Sequence, residues 1–162
     1  MIANQINQVD LDIQSITLLS VQEAEMFVAE KDRSCGEDWW LGTPGNFPKF
    51  AAFVHKSGAV DAPGNYVDLE YGVRPVLRIN NLEANNLGKG DKISVGGLSW
   101  TVISEELALC DCLIGKVPFK SGDYHDVGAN VYESSDIRTW LNSWALERGI
   151  VTQENIELFN MR

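Results

Sequence analysis

Basic residues are scarce in this 162-residue chain, which has 13 Lys and Arg against 23 Asp and Glu and a formal net charge of −10. A negative surface repels phosphate groups, so this composition disfavours direct binding to nucleic acid or to an anionic membrane. The composition is compatible with a partner that has a basic surface. It is also compatible with a negative charge that serves mainly to keep the protein in solution. We therefore expect neither nucleic acid nor membrane among the direct partners.

Long apolar runs are also missing. No segment approaches the roughly 18 consecutive apolar residues of a membrane span, and residues 1–14 contain no basic stretch followed by an apolar run. The expected location is therefore the cytoplasm. The hydrophobic content of 44% supports one domain over residues 1–162. The alternative is two subdomains, 1–80 and 91–162, joined by a polar linker at 80–91.

Cysteine occurs three times, as Cys35, Cys110 and Cys112. The number is odd and the spacing does not match a metal site, so reduced thiols are expected. Cys110 and Cys112 alternate with Asp111 along a predicted strand, which would place both sulfurs on one side. The pattern favours two core thiols over a redox pair.

Catalytic motifs are absent from the sequence. The densest group of possible metal ligands is Asp123, Tyr124, His125 and Asp126, a pattern more typical of a solvated loop than of a metal centre. The glycines at 88, 90, 96 and 97 do not join a strand to a helix, so they do not form a phosphate-binding loop. We expect no enzymatic activity, no cofactor and no metal.

The local patterns that are present predict an α+β fold with a mixed or antiparallel sheet of short strands and two main helices. Ser20 and Glu23 have the spacing of a capping box and predict a helix through about Lys31. Gly96 and Gly97 predict a two-residue hairpin turn. A second helix, capped by Ser134 or Ser135, has apolar residues at helical spacing: Ile137, Trp140, Leu141 and Trp144.

Three segments together resemble a known family: Trp39–Gly45, Gly72–Leu77 and Ser134–Asn142. They are similar to the hallmark stretches WWLRSPG, GVRPAL and SxxIRxWLN of a bacterial and phage-associated domain family of unknown function. The segments that match span most of residues 15–144. By analogy with the Trp-rich, loop-heavy pattern of that family, the resemblance implies a C-type-lectin-like core and a phage or mobile-element origin. If a phage encodes the chain, the expected location is the virion.

The chain departs from that family in two respects. Gly42 and Thr43 replace the Arg-Ser pair of the first stretch, so a contact made by that Arg is missing. The helix stretch follows the Trp-Trp stretch, whereas in the family it precedes it. This order implies either a circular permutation or two half-domains that assemble with another copy of the chain, and the oligomeric state stays open. The tripeptides typical of calcium-dependent sugar sites, Glu-Pro-Asn and Trp-Asn-Asp, do not occur.

These patterns predict a non-catalytic binding module that recognises a protein or a glycan. The expected binding surface combines the loops at 42–49 and 122–130, because both are polar, turn-rich and next to core segments. Trp40 is the aromatic residue expected at that surface, whereas the other tryptophans are assigned mainly to the core. The alternative is an acidic intracellular inhibitor of a bacterial defence protein that mimics nucleic acid. The candidate ligand-binding residues are Trp40, Asn46, Lys49, Asp123, Tyr124, His125 and Asp126.

Overall fold

The computed structural model describes residues 8–121 and 128–160. Over these ranges the chain forms two sheets and four α-helices, which confirms the α+β class. No helix in this part of the chain is long and apolar enough to cross a membrane. The strands are β1 (Ile13–Thr17), β2 (Trp39–Pro44), β3 (Phe50–Val54), β4 (Val60–Tyr66), β5 (Glu70–Val73), β6 (Val76–Ile79), β7 (Lys92–Val95), β8 (Leu98–Val102), β9 (Leu107–Cys110) and β10 (Gly115–Pro118). The helices are α1 (Val21–Phe27), α2 (Glu30–Arg33), α3 (Asp136–Glu147) and α4 (Gln153–Asn160).

The chain divides into two compact units, each built from segments that are distant in sequence. Unit 1 comprises Met1–Thr17, Pro75–Cys112 and Leu141–Arg162, and unit 2 comprises Leu18–Arg74 and Leu113–Trp140. The units do not divide at 80–91, the linker suggested by composition, because that segment lies inside unit 1. The expectation of a single domain stays a prediction.

Unit 1 contains an antiparallel sheet with the strand order β1-β6-β9-β8-β7. Gly96 and Gly97 connect β7 to β8 with φ values of 59° and 80°, which confirms the predicted two-residue turn. Trp100 on β8 is fully buried, and its indole N–H donates to the carbonyl of Val95 over 3.0 Å. Helix α4 packs on β1, and its first turn is capped by the Thr152 hydroxyl.

Unit 2 contains a mixed sheet with the strand order β10-β5-β2-β3-β4. The pair β2 and β5 is parallel and the other pairs are antiparallel. The predicted capping box is confirmed: the Ser20 hydroxyl accepts from the Glu23 N–H, and the Glu23 carboxylate accepts from the Ser20 N–H, both over 3.0 Å. Helix α1 ends at Phe27, earlier than expected, and the short helix α2 follows.

Pro63 and Gly64, a dipeptide typical of turns, are part of β4 in this chain. Gly64 has a φ of 86°, and the β3–β4 register shifts between Ala51 and Phe53, so the strand contains an irregularity rather than a reversal. The position is compatible with proline because β4 is an edge strand of its sheet.

Helix α3 buries a different stripe from the one expected. Ile137, Leu141 and Ala145 are fully buried, whereas Trp140 and Trp144 are half-buried. The prediction that both tryptophans lie on the buried stripe is therefore wrong. The buried positions recur every four residues, so the two indoles lie at the margin of the stripe. The Ser135 hydroxyl caps the helix by accepting from the backbone N–H of residue 138 over 3.1 Å, as predicted.

Arg74 connects the end of α2 to Trp39. Its side chain is buried and its guanidinium donates to the Asp32 carbonyl over 3.0 Å. The guanidinium also lies 5.2 Å from the centre of the Trp39 ring. Trp39 donates its indole N–H to the Arg33 carbonyl over 2.9 Å. These bonds satisfy the carbonyls of the segment at the end of α2.

Candidate functional site

The loop between β2 and β3, together with the end of β4, carries a cluster of partly exposed aromatic rings. Phe47 is 57% exposed and Tyr66 is 40% exposed. Their rings lie on either side of Phe50, with centroid distances of 5.3 Å and 4.9 Å and nearly perpendicular planes. The Lys49 ammonium lies 5.4 Å from the centre of the Tyr66 ring. We call these four residues, Phe47, Lys49, Phe50 and Tyr66, the aromatic patch.

Backbone hydrogen bonds hold this loop against the edge strand. The N–H of Gly45 donates to the Phe50 carbonyl over 2.9 Å, and the N–H of Asn46 donates to the Pro63 carbonyl over 2.8 Å. A Cβ atom at Gly45 would overlap the same Pro63 oxygen, so this close approach requires glycine. Phe50 and Tyr66 are opposite each other in the β3–β4 register, which explains why their rings touch.

A buried amide fixes the loop from its inner side. Asn130 is 8% exposed. Its Nδ2 donates to the carbonyls of Phe47 and Phe50 over 3.1 Å and 3.0 Å. One side chain thereby adds a second hydrogen bond to each of two carbonyls that already accept from backbone N–H groups. Asn130 also links the 42–49 loop to the described end of the 122–130 loop, two segments expected to share one surface.

The predicted site residues have different outcomes. Asn46 is exposed and Lys49 is half-buried, and both lie in the loop that carries the aromatic patch. Trp40 is 0% exposed, so the prediction that it forms the binding surface is wrong. The remaining four candidates lie outside the described residues: Asp123, Tyr124, His125 and Asp126.

Trp40 is buried because β2 lies inside the sheet, between β5 and β3. Its ring contacts Tyr71 and Phe119, with centroid distances of 4.6 Å and 5.7 Å. Its indole N–H donates to the Val117 carbonyl over 3.0 Å. A central strand can be covered on both faces, so the strand neighbours Trp39 and Trp40 are both fully buried.

Sequence reasoning missed Phe47 and Tyr66. The available signal for Phe47 was a large apolar residue placed between Asn46 and Pro48 in a turn-rich loop, without apolar neighbours at a helical or strand period. Tyr66 carried no comparable signal, because an aromatic residue at the end of a strand is compatible with burial.

Unit 2 also has a polar surface pocket of about 290 Å³. Two of its carboxylates have partners: Lys116 Nζ lies 3.0 Å from Glu37 Oε1, and Asp38 Oδ1 accepts from the backbone N–H of Lys56 over 2.8 Å. The lining residues are Gly36, Glu37, Asp38, Lys56, Glu70, Tyr71 and Lys116. This lining contains no thiol, hydroxymethyl or imidazole group, and no cluster of three metal-ligating side chains occurs within residues 8–121 and 128–160.

His55 forms local contacts beside this pocket. Its Nε2 lies 3.1 Å from Asp61 Oδ2, and its ring packs against Phe53 with a centroid distance of 4.8 Å. The other Asp61 oxygen accepts from the Gly64 N–H over 3.0 Å. His55 and Asp61 therefore stabilise the irregularity in β4.

Searches of protein-family models, of curated proteins and of solved structures each gave no significant match. The aromatic patch is therefore the feature of this chain that points to a function. The resemblance to the lectin-like family stays a prediction.

Proposed function

We propose that this chain is a binding module that recognises a protein partner through the aromatic patch. The observation that carries the proposal is the exposure of Phe47 and Tyr66 within a cluster whose backbone is fixed by Asn130. Grouped apolar rings in water are typical of interaction surfaces, where aromatic side chains supply much of the binding free energy. An ordered loop also loses less conformational entropy on binding.

The chemistry of the patch favours a protein over a glycan. Phe47 is the most exposed ring of the patch and has no polar atom, so it fits an apolar pocket on a partner. Lys49 and Asn46 at its margin can bond to backbone carbonyls or carboxylates of that partner. The C-type-lectin-like core implied by the sequence resemblance supports the same use, because such a core would hold variable loops on a rigid scaffold.

Nucleic-acid mimicry is the competing function, and two carboxylates fit it less well. Asp111 binds Lys92 at 2.8 Å and Glu37 binds Lys116 at 3.0 Å, which locally neutralises both acids. Mimicry would depend on long-range attraction between charges and would therefore weaken steeply with salt. The affinity of a contact through apolar rings would change little with salt.

The test compares the unmodified chain with the double variant Phe47→Ala/Tyr66→Ala as immobilised bait for bacterial lysate. Met26→Ala is the matched control, because Met26 on α1 is 61% exposed and lies outside the patch. We expect a captured protein with the unmodified chain and with the control. The double variant should bind it at least about tenfold more weakly, a loss of about 1.4 kcal/mol or more.

Two further arms of the experiment distinguish the alternatives. Protease treatment of the lysate should abolish capture, whereas capture that survives protease and is lost after glycosidase treatment would indicate a glycan. Capture should also persist between about 50 mM and about 500 mM salt. Binding that is lost at high salt but unaffected by the double substitution would overturn the proposal in favour of mimicry.

A further inference from the structure

Cys110 and Cys112 form a pair of neighbouring thiols in unit 1. Strand β9 ends at Cys110, so the strand alternation that predicted two core thiols does not extend to Cys112. Cys110 is fully buried and Cys112 is exposed. The prediction of a core position is therefore wrong for Cys112. The two sulfurs lie 3.9 Å apart.

The residue between the two cysteines is held firmly. The Asp111 carboxylate accepts hydrogen bonds from Lys92 Nζ and Ser99 Oγ, both over 2.8 Å, and from Thr101 Oγ1. The backbone N–H of Asp111 also donates to the Ser99 carbonyl over 3.0 Å. Because these bonds anchor Asp111 to β7 and β8, the flanking side chains keep their positions on the same side of the chain.

A disulfide requires a sulfur separation of about 2.05 Å. The present separation of 3.9 Å is already a contact distance. Cys112 is exposed, so rotation of its side chain can shorten the gap without displacing core atoms. The anchored Asp111 restricts the backbone, which makes the rotation of Cys112 the main movement required.

We propose that Cys110 and Cys112 form a dithiol site that undergoes exchange with a small-molecule disulfide such as oxidised glutathione. The Cys112 thiolate attacks one sulfur of glutathione disulfide, the S–S bond breaks, and one glutathione thiolate leaves. The Cys110 thiolate then attacks Cys112 Sγ and displaces the second glutathione thiolate. The protein loses two electrons and two protons, and glutathione disulfide gains them as two thiols.

The different environments of the two thiols set the order of these steps. Cys112 reacts first because it is accessible. Burial raises the pKa of the Cys110 thiol to about 12, which keeps it protonated near neutral pH. Since the thiolate is the attacking form, ring closure is the slow step and becomes faster as the pH rises.

The experiment uses the full chain carrying Cys35→Ser, which removes the third thiol. The protein is incubated with oxidised glutathione, quenched with acid, alkylated and analysed by intact mass and peptide mapping. We expect transient addition of one glutathione at Cys112, followed by a product that lacks two hydrogen atoms and contains a Cys110–Cys112 bond. At pH values below the pKa of Cys110, the rate of the second phase should rise about tenfold for each unit by which the pH is raised.

Two single variants serve as controls. Cys110→Ser should accumulate the mixed disulfide at Cys112, and Cys112→Ser should react at least about tenfold more slowly than the Cys35→Ser parent because its remaining thiol is buried. Circular dichroism checks that each variant is folded. The result on the Cys35→Ser parent tests the proposal without either single variant. A stable mixed disulfide on the parent, a covalent dimer through Cys112, or two thiols that stay fully alkylatable would each overturn the proposal.

Discussion

Unit 2 contains two aromatic groups with similar ring geometry and opposite exposure. Trp40 and Phe119 meet edge to face at 5.7 Å, and Phe47 and Phe50 do so at 5.3 Å. Trp40 is 0% exposed, whereas Phe47 is 57% exposed. Trp40 lies on the central strand β2, whereas Phe47 lies in the loop between β2 and β3. Contact between aromatic rings therefore does not by itself make a buried core. Whether the rings are buried depends on the segments that cover them.

The largest expected effect comes from removing the buried ring. Trp40→Ala should lower the free energy of unfolding by about 3–5 kcal/mol, because it leaves a cavity among tightly packed rings. It also leaves the Val117 carbonyl without its indole donor. Phe47→Ala, the matched exposed change, should stay within about 0.5 kcal/mol. Urea denaturation measures the free energy of unfolding of both variants. An equal loss of stability in the two would contradict the distinction between the buried core and the exposed patch.

An intermediate effect is expected at the amide that orders the patch. Asn130→Ala removes one hydrogen bond from each of two carbonyls, which keep their backbone N–H donors. At roughly 0.5–1.5 kcal/mol for each bond, the change should cost roughly 1–3 kcal/mol. Partner binding should weaken as well, because the loop that carries Phe47 loses its anchor. Asn46→Ala is the control, since that side chain is exposed in the same loop. An unchanged melt for Asn130→Ala would show that the loop is ordered by other contacts.

The smallest effect concerns Tyr71, which lies against Trp40. Burial raises the pKa of Tyr71, and this outweighs the hydrogen bond from Asn65. The folded state therefore keeps the phenol proton at a pH where the unfolded state loses it. This contribution to stability is present below about pH 10, the ordinary tyrosine pKa, and is lost as the pH rises through the folded-state value.

Unfolding free energies measured from about pH 9 to about pH 11 test this expectation. Tyr71→Phe should show a shallower alkaline decline than the unmodified chain. Some decline should persist, because burial also raises the pKa of Tyr132. An identical alkaline slope in both proteins would contradict the link between Tyr71 and the buried cluster.

Several elements were predictable from sequence because their signals are local. The Ser20–Glu23 capping box and the Gly96–Gly97 turn each involve residues at most three positions apart. The start of α3 depends on Ser135 in the same way. Such hydrogen bonds form between near neighbours, so the local residue types are enough to predict them.

The candidate site was predictable only in part. The polar, turn-rich composition of residues 42–49 indicated a loop, but residues 42–44 belong to β2 and the loop begins at Gly45. Asn46 is exposed in it. The aromatic residue chosen for the surface was Trp40, but the exposed rings are Phe47 and Tyr66. Nothing in the order of residues reveals that Asn130 binds the loop from more than 80 positions away along the chain.

The sequence by itself determined the α+β class, the helix caps and the tight turn, since each depends on residue types within one or two turns of chain. The tertiary structure alone decided which strands pair, as in Ile13 with Ile79, and therefore which segments form each unit. It also decided that Trp40 is buried while Phe47 and Cys112 are exposed. The physical reason is that burial depends on cover from distant segments, which local patterns do not encode.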